Sequence, residues 1–446
     1  MTTPDNGPPP AAGVGSSADM QADIEADREA QQLNTERIGQ AFSALEEGRR
    51  DAARELMEQV LDDGRVSAGG AAYVWAILQE LGDAERAKMI RDGTVGTLRK
   101  VIADHPDNPI ALLDAALVLV EFGEEEDGIA ALERTAQLKR DDLRPVLPLI
   151  SLLLQRKDPE RLLQIWEPTL AALAGDDFRA GVAALMRGLG HFGYPDHARQ
   201  LAERQRPRWS AAHVAMLDGL VANLDDSGDD TQDLGSLIDE FDRFSAYYDE
   251  NLEAIGNRGP QLIGRMIEQL GWAPDASREI LDAGCGTGLC APYLRPFAKL
   301  LHGCDLSVGM LEKSKARNIF DLLTRTDLGN PATYPQASFT AVICADVLVY
   351  FGDLEPVLRN FAAIMRPGGW LILTVEDAAG QGQARGWERR PSGRYRHDPH
   401  YVVQALASAG FSEPECEIRD TLRYEFRTPV AGYCVAAHVV PASSQH

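Results

Sequence analysis

The chain has 446 residues, of which 44% are hydrophobic and 25% are charged. These values are close to the average for folded globular proteins, so they exclude fibrous and wholly disordered classes, and the length predicts two domains. The net charge is -24, and residues 1–250 carry -22 of it. Binding to a phosphate backbone depends on clustered Lys and Arg, so we expect no nucleic-acid partner.

The six cysteines all lie in the second half of the chain, and none belongs to a C-x-x-C pair. This pattern favours reduced thiols over a zinc site, so we expect no bound metal and a cytoplasmic protein. No run of about 18 apolar residues is present to span a bilayer. We therefore expect no membrane segment.

The composition predicts four segments along the chain. Residues 1–32 begin with a stretch rich in Pro, Gly, Ala and Ser, which is typical of a flexible tail. Residues 33–224 show Ala and Leu at helical spacing, and the acidic residues 225–234 are typical of a linker. Residues 235–446 alternate short apolar strands with helices, which indicates a parallel sheet covered on both faces.

The helical segment is interrupted at regular intervals, by Gly48, Gly82, Gly123, Lys157 and Gly193, which are 34, 41, 34 and 36 residues apart. A glycine after an apolar stretch can end one helix, and the Asp or Pro that follows can begin the next. The unit is therefore a helix hairpin. Its period resembles tetratricopeptide repeats, which implies a stacked array that binds a protein partner. The family's Trp, Tyr and terminal Pro positions are mostly unfilled, and a nonspecific helical bundle is the alternative.

The sharpest motif in the second half is the sequence EILDAGCGTGLCAPYL, in which an apolar strand ending at Leu281 leads into a glycine-rich turn and then a helix. Glycines let a ligand approach the backbone, and the helix that follows offers free N–H groups. A dinucleotide fingerprint requires G-x-G-x-x-G, but here Leu289 occupies the third glycine position, which disfavours a nicotinamide-dependent oxidoreductase. A glycine turn used only for tight packing is the other alternative.

The pattern D-x-G-x-G-x-G resembles motif I of the class I S-adenosylmethionine-dependent methyltransferases. The resemblance implies a doubly wound, Rossmann-like α/β sheet with a C-terminal antiparallel hairpin, preceded here by the all-α repeat region. It also implies that the motif binds the methyl donor through Asp282, Gly284, Cys285, Gly286 and Gly288.

A second motif, D-L-S-x-x-M-L, follows the next apolar strand and begins at Asp305, 23 residues after Asp282. A carboxylate at this place can accept hydrogen bonds from both ribose hydroxyls. The resemblance implies that Asp305, Leu306 and Met310 contact the donor. The alternative is that Asp305 caps the helix beginning near Val308.

Two further acids follow the third and fourth predicted strands. The resemblance assigns Asp327 to the adenine amino group and places Asp346 at the cofactor site, before the turn M-R-P-G-G. Together these motifs make a methyltransferase the preferred hypothesis, with a small-molecule or protein acceptor that the repeats recruit. The alternative is an interaction scaffold whose C-terminal domain only binds S-adenosylmethionine.

The predicted fifth strand is followed by a segment with a local excess of basic residues, between residues 385 and 400. Loops outside the carboxyl ends of the strands build the substrate site of such folds, so this segment can meet an anionic acceptor. A solvated or docked loop is an equally good interpretation. His397, His400 and Tyr247 are weak candidates for a catalytic base.

Overall fold

The computed structural model describes residues 17–46, 48–211, 213–224, 241–242, 248–249, 252, 255–330, 334–378 and 385–441. The chain divides into two compact units, the first made of residues 1–152 and 163–173 and the second of residues 153–162 and 174–446. The predicted linker 225–234 lies outside the described residues. The division groups the helices after residue 174 with the sheet, so it does not follow the predicted boundary.

The front half of the described chain is helical. Its helices, numbered α1 to α11 in chain order, are Ser17–Glu46, Arg50–Asp63, Ala68–Leu81, Ala84–Asp104, Pro109–Glu121, Glu125–Leu138, Leu147–Gln155, Pro159–Ala172, Gly175–His191, Pro195–Gln205 and Val214–Ala222. Helix α1 begins inside the segment 1–32 that the sequence predicts to be a flexible tail. The Ala, Glu, Gln and Arg residues in the second half of this segment are good helix formers, and the Pro and Gly residues that precede them obscure this preference when the segment is taken as a whole.

The five predicted breaks are the turns that join successive helices in pairs. Gly48, Gly82, Gly123 and Gly193 all have φ between 74° and 84°, the left-handed conformation that ends a helix. Lys157 takes the same conformation with φ 61° although it has a side chain. The helical character of this region and the turns at the predicted breaks are therefore present, whereas the array of tetratricopeptide-like helix hairpins stays a prediction.

The remaining helices flank the sheet strands. Helices α12 to α16 are Gly259–Gln269, Ala291–Leu294, Val308–Ala316, Glu355–Ile364 and Pro399–Ala409. Strands β1 to β9 are Arg278–Ala283, Ala298–Asp305, Leu322–Arg325, Phe339–Cys344, Met365–Asp377, Trp387–Arg389, Tyr395–His397, Cys416–Glu425 and Thr428–His438.

These strands form one sheet whose core is parallel, in the order β3-β2-β1-β4-β5. The long strand β9 pairs antiparallel with both β5 and β8, which is the predicted C-terminal hairpin. The predicted fold class, a doubly wound Rossmann-like sheet behind an all-α region, is confirmed.

Alternate residues of each central strand face opposite layers of helices, as the period of two requires. Leu281, Val342 and Leu371 pack in one cluster with the helices α15 and α16. Their neighbours Ile280, Ile343 and Ile372 pack in a second cluster with α12. The continuous apolar runs in these strands thus reflect burial on both faces.

The order of the strands reverses between β1 and β4, because β2 and β3 lie on one side of β1 and the remaining strands on the other. In open α/β sheets the ligand binds in the crevice at this switch point, outside the carboxyl ends of the strands. The glycine turn follows β1 at this edge, and Asp346 follows β4.

The basic segment is not a simple loop. Its two short strands β6 and β7 form an antiparallel pair, and β7 joins the sheet beside the end of β5. Strands of three residues with charged side chains have no hydrophobic alternation, so the sequence does not predict them.

Candidate functional site

A cavity of about 1100 Å³, open solvent at its mouth included, lies at the switch point. Nine of the ten predicted donor-binding residues line it. These are Asp282, Gly284, Cys285, Gly286, Asp305, Leu306, Met310, Asp327 and Asp346. Four separate stretches of sequence therefore converge on one space, although direct contact of these residues with the donor stays a prediction.

The glycine turn is shaped by contacts on both of its sides. Gly284 has φ 75°, and a Cβ there would lie 2.3 Å from the Cγ2 of Val347. Gly286 has φ 52°, and among the described residues a Cβ there would meet only Tyr248, at 3.9 Å, which leaves its backbone open on that side. The turn thus offers bare backbone to a ligand.

Gly288 is the predicted residue that is not among those lining the cavity. A Cβ at this position would lie 2.9 Å from both Phe320 and Ser314. Its glycine therefore serves close packing of the turn against its neighbours. For Gly288, the alternative of a glycine used for tight packing therefore applies.

Asp305 ties the second motif to the first. Its Oδ2 accepts a hydrogen bond from the backbone N–H of Gly286 at 2.9 Å, and its Oδ1 accepts from the N–H of Ser307 at 2.9 Å. The helix α14 is capped by Ser307, whose Oγ accepts from Met310 N. Asp305 is therefore not the residue that caps this helix, and its carboxylate lies beside the glycine turn.

Asp282 is almost completely buried, with 2% of its surface exposed, and it lines the cavity. Burial, reinforced by the neighbouring carboxylate of Asp305, raises the pKa of Asp282 to about 7. Its Oδ2 has no hydrogen-bond partner among the residues that the structure describes. A buried carboxylate oxygen without a donor is costly, and a ligand with an N–H or O–H group relieves that cost.

Asp346 has φ 56°, a conformation that residues with a side chain seldom adopt. It is held there by several contacts: its N–H donates to Thr374 Oγ1 at 2.8 Å, and its Oδ2 accepts from Asn257 Nδ2 at 3.1 Å. Its Oδ1 faces the guanidinium groups of Arg394 and Arg423, at 3.4 and 3.5 Å. Backbone strain that the surroundings maintain in this way is common at functional sites.

The two arginines belong to a buried cluster of charges beneath this wall of the cavity. Arg423 has 1% of its side chain exposed and donates to Glu376 at 2.5 Å and Glu425 at 2.6 Å. The exposed fraction of the Glu376 side chain is 2%. This cluster is not predictable from the sequence, because its members come from four separate strands or turns and share no motif.

Two carboxylates before α12 also contact the site elements and were not predicted from the sequence. Asp242 accepts hydrogen bonds from Ser307 Oγ and from Gly309 N, and Asp249 accepts from Thr287 Oγ1 and Arg317. Asp242 is thereby bonded to the start of α14, and Asp249 to the glycine turn and to the residue that follows α14. The acids of the stretch F-D-R-F-S-A-Y-Y-D, spaced seven residues apart, were the signal available in the sequence.

The two candidate histidines are not among the described residues that line the cavity. His397 is fully buried in β7, its Nε2 faces the backbone oxygens of Phe351 and Gly352 at 2.9 and 3.0 Å, and burial lowers its pKa to about 4. His400 is exposed at the start of α16, and neither histidine lines the cavity. Tyr247 lies outside the described residues. His397 therefore holds the turn at residues 351–352 in place through its imidazole ring.

The comparisons with known proteins agree with this geometry. A family model described as "Methyltransferase domain" matches residues 253–412. This stretch contains the glycine turn, Asp305 and Asp346. The match covers less than half of the chain and lies within its second half.

This region is similar to several curated proteins. It is 34% identical over 145 residues to methyltransferase-like protein 27 of Homo sapiens, covering 32% of this chain and 59% of that protein. It is 33% identical over 100 residues to demethylmenaquinone methyltransferase of Corynebacterium kroppenstedtii, covering 22% of this chain and 42% of that enzyme. The chain thus spans about half the length of these relatives.

A more distant relative is matched over more of its length. Malonyl-[acyl-carrier protein] O-methyltransferase of Serratia marcescens is 28% identical over 202 residues, covering 44% of this chain and 76% of that enzyme. Among solved structures, an S-adenosylmethionine-dependent methyltransferase from Mesorhizobium loti is 22% identical with a TM-score of 0.32, covering 38% of this chain and 94% of that one.

Among the described residues, no helix is both long and apolar enough to cross a membrane. All six cysteines are free thiols. Burial raises the pKa of the Cys285 and Cys290 thiols, which line the cavity. Neither is thus suited to act as a thiolate nucleophile.

Proposed function

We propose that this protein is an S-adenosylmethionine-dependent methyltransferase that binds its donor in the cavity between β1, β2 and β4. The observation that carries the proposal is the hydrogen bond from the glycine turn to Asp305, which brings both motifs to the wall of one cavity. The open backbone at Gly286 and the unsatisfied Oδ2 of Asp282 fit a ligand with polar N–H or O–H groups.

Each group of residues in the cavity wall binds a different part of the donor. Asp305 accepts hydrogen bonds from the ribose hydroxyls, Asp327 meets the adenine amino group, and the turn from Gly284 to Gly286 accommodates the amino-acid end. The donor supplies an electrophilic methyl group on a sulfonium. The protein's part is to hold a nucleophile in line with that group, about 3–3.5 Å away, and to exclude water.

The helical region completes the proposal. Its helix hairpins supply a surface for a protein partner, which is either the methyl acceptor or a protein that delivers it. The acidic character of residues 1–250 makes nucleic acid an unsuitable partner. The six free thiols suit a cytoplasmic location.

Calorimetry with S-adenosylmethionine tests the proposal. Changing Asp305 to Ala removes charge-assisted hydrogen bonds worth about 1.5–3 kcal/mol each, so we expect donor affinity to fall at least about tenfold. Asp321→Asn is the matched control, because Asp321 accepts from Arg295 and from Leu301 N at 2.7 Å in the same domain but is not among the residues that line the cavity.

An unchanged affinity in Asp305→Ala, with the control also unchanged, contradicts the assignment of the ribose site. The scaffold alternative has a different signature. A protein that only holds the donor binds it normally but transfers no labelled methyl group to protein or to metabolites when it is incubated with cell extract.

A further inference from the structure

The charge of the cavity wall limits what the acceptor can be. Four carboxyl groups line the cavity, those of Asp282, Asp305, Asp327 and Asp346. Among the residues that the structure describes, no lysine, arginine or histidine lines it. The negative potential of these carboxyl groups favours cations and disfavours anions, because the site is partly shielded from water.

The arginines of the basic segment do not supply the missing positive charge. Arg394 contacts Asp346, and its guanidinium lies over the ring of Tyr350, 5.5 Å from its centroid. Arg396 and Arg390 lie 3.9 and 3.7 Å from the same carboxylate, Glu388, and Arg396 also lies 3.8 Å from Glu376. Each of these three arginines is thus paired with an acid, and no arginine of the basic segment is among the described residues that line the cavity.

The wall around Asp346 combines this carboxylate with flat apolar surfaces. The ring of Phe241 stands edge-on to Tyr350 at 5.6 Å and to Tyr248 at 6.2 Å, and all three rings line the cavity. Asn257 places an amide beside them, bonded to Asp346. An acceptor with an apolar or aromatic body and a hydrogen-donating head is complementary to this wall.

Resting on the proposed function, we infer that the acceptor is an amine, whose nitrogen donates a hydrogen bond to Asp346 while its body packs against Phe241, Tyr248 and Tyr350. An amine arrives as a cation or as a neutral N–H donor, and both forms suit a wall of carboxylates. A carboxylate acceptor would bring a further negative charge to this wall, where Arg394 and Arg423 are already paired with Asp346 and Arg423 also with Glu376 and Glu425, and this costs binding energy.

Methyl transfer to an amine requires a free lone pair on the amine nitrogen. The bound ammonium first loses one proton to water, which frees the nitrogen lone pair. That lone pair attacks the methyl carbon, the new C–N bond forms, and the C–S bond breaks with its electron pair remaining on sulfur. The methylated nitrogen then carries the positive charge that the sulfonium has lost, so Asp346 stabilises the charge at both stages.

The test uses three probes that share one aromatic body: 2-phenylethylamine, 2-phenylethanol and 3-phenylpropionate. The full-length protein is first saturated with S-adenosylhomocysteine, and the binding of each probe is then measured by ligand-observed NMR. We expect the amine to bind at least about tenfold more tightly than the acid, with the alcohol between them.

Asp346→Asn identifies the residue responsible, and Asn is suitable because it tolerates the left-handed conformation that Asp346 adopts. We expect this variant to lose at least about fivefold of the preference for amine over acid, while Asp321→Asn keeps it in full. Equal affinities for the three probes, a preference for the acid, or no binding of the amine overturns the inference. If S-adenosylhomocysteine itself does not bind, the proposed function fails instead.

Discussion

The buried carboxyl group of Asp282 lowers the free energy of unfolding of the donor-free protein and offers a hydrogen-bond acceptor to a ligand. Because burial raises its pKa to about 7, the native protein binds more protons at this position than the unfolded chain between about pH 4 and pH 7. The free energy of unfolding therefore falls as pH rises through this window and levels off above it. The group destabilises the donor-free fold at neutral pH, which is the expected sign for a buried acid that a ligand later satisfies.

The variant Asp282→Asn tests this sign. Asn resembles the protonated acid, so we expect the variant to be more stable than the wild type at pH 7.5, by up to about 4 kcal/mol, and equally stable near pH 4. Urea unfolding at several pH values measures the difference. Parallel stability curves for the two proteins would show that Asp282 is not desolvated in the native state.

At this scale the sequence predicted well the residues that belong to a local motif. Asp282, Asp305 and the glycines were found because strand, turn and acid follow one another in the chain. Tyr248, Asn257 and Tyr350 were not found, because only tertiary contacts bring them to the cavity. The histidines were chosen for their chemistry alone, and the packing of His397 shows why residue type without position is a poor guide.

The C-terminal hairpin is the element on which the wall of the cavity depends. Strand β8 contributes Arg423, which contacts Glu376 of β5, Glu425 of its own strand and Asp346 beside the cavity. Removing one member of a buried ion pair leaves an uncompensated charge, which costs far more than the pair itself contributes.

We therefore expect Arg423→Gln to lower the free energy of unfolding by about 3–5 kcal/mol. The matched control is Arg419→Gln on the same strand, because Arg419 is 53% exposed in its pairs with Glu417 and Asp377, and the loss there is about 1 kcal/mol or less. Denaturant unfolding of both variants measures the contrast. A similar loss in the two variants would show that the Arg423 cluster is solvated.

The C-terminal hairpin was predicted from the family resemblance, and the five helix turns from the regular spacing of four glycines and Lys157. Strands β6 and β7 were not predicted, since strands of only three residues, W-E-R and Y-R-H, are too short to show a periodicity. Their place in the sheet is set by pairing with β5, which is a long-range contact.

On the scale of the whole molecule, the second compact unit contains more than the methyltransferase sheet. A Cβ at Gly190 of α9 would lie 2.6 Å from Pro391, so glycine is required for this close approach. The rings of His191 and Phe192 lie 5.2 and 6.0 Å from Phe426, in the turn between β8 and β9. Helix α9 thus covers the turns of both hairpins, which the alternation of strands and helices in the sequence could not reveal.

This packing predicts where the chain can be shortened. A fragment of residues 153–446 keeps the whole second unit, so we expect it to bind S-adenosylmethionine with the affinity of the full chain. A fragment of residues 231–446, cut at the boundary that composition suggests, exposes Pro391 and Phe426. We expect a melting temperature several degrees lower and weaker donor binding.

Calorimetric melting and donor titration of the two fragments measure this difference. Equal stability and equal affinity of the two fragments would support a domain boundary at residues 225–234 and would show that α9 is not needed for donor binding.

The most direct test of the account is an experimental structure of the protein with S-adenosylhomocysteine. We predict the adenosine ribose within hydrogen-bonding distance of Asp305 and the amino-acid end against Gly284 and Gly286. A ligand bound elsewhere on the chain, or no ligand at saturating concentration with these residues unchanged in position, would contradict the assignment of this cavity and the methyltransferase function built on it.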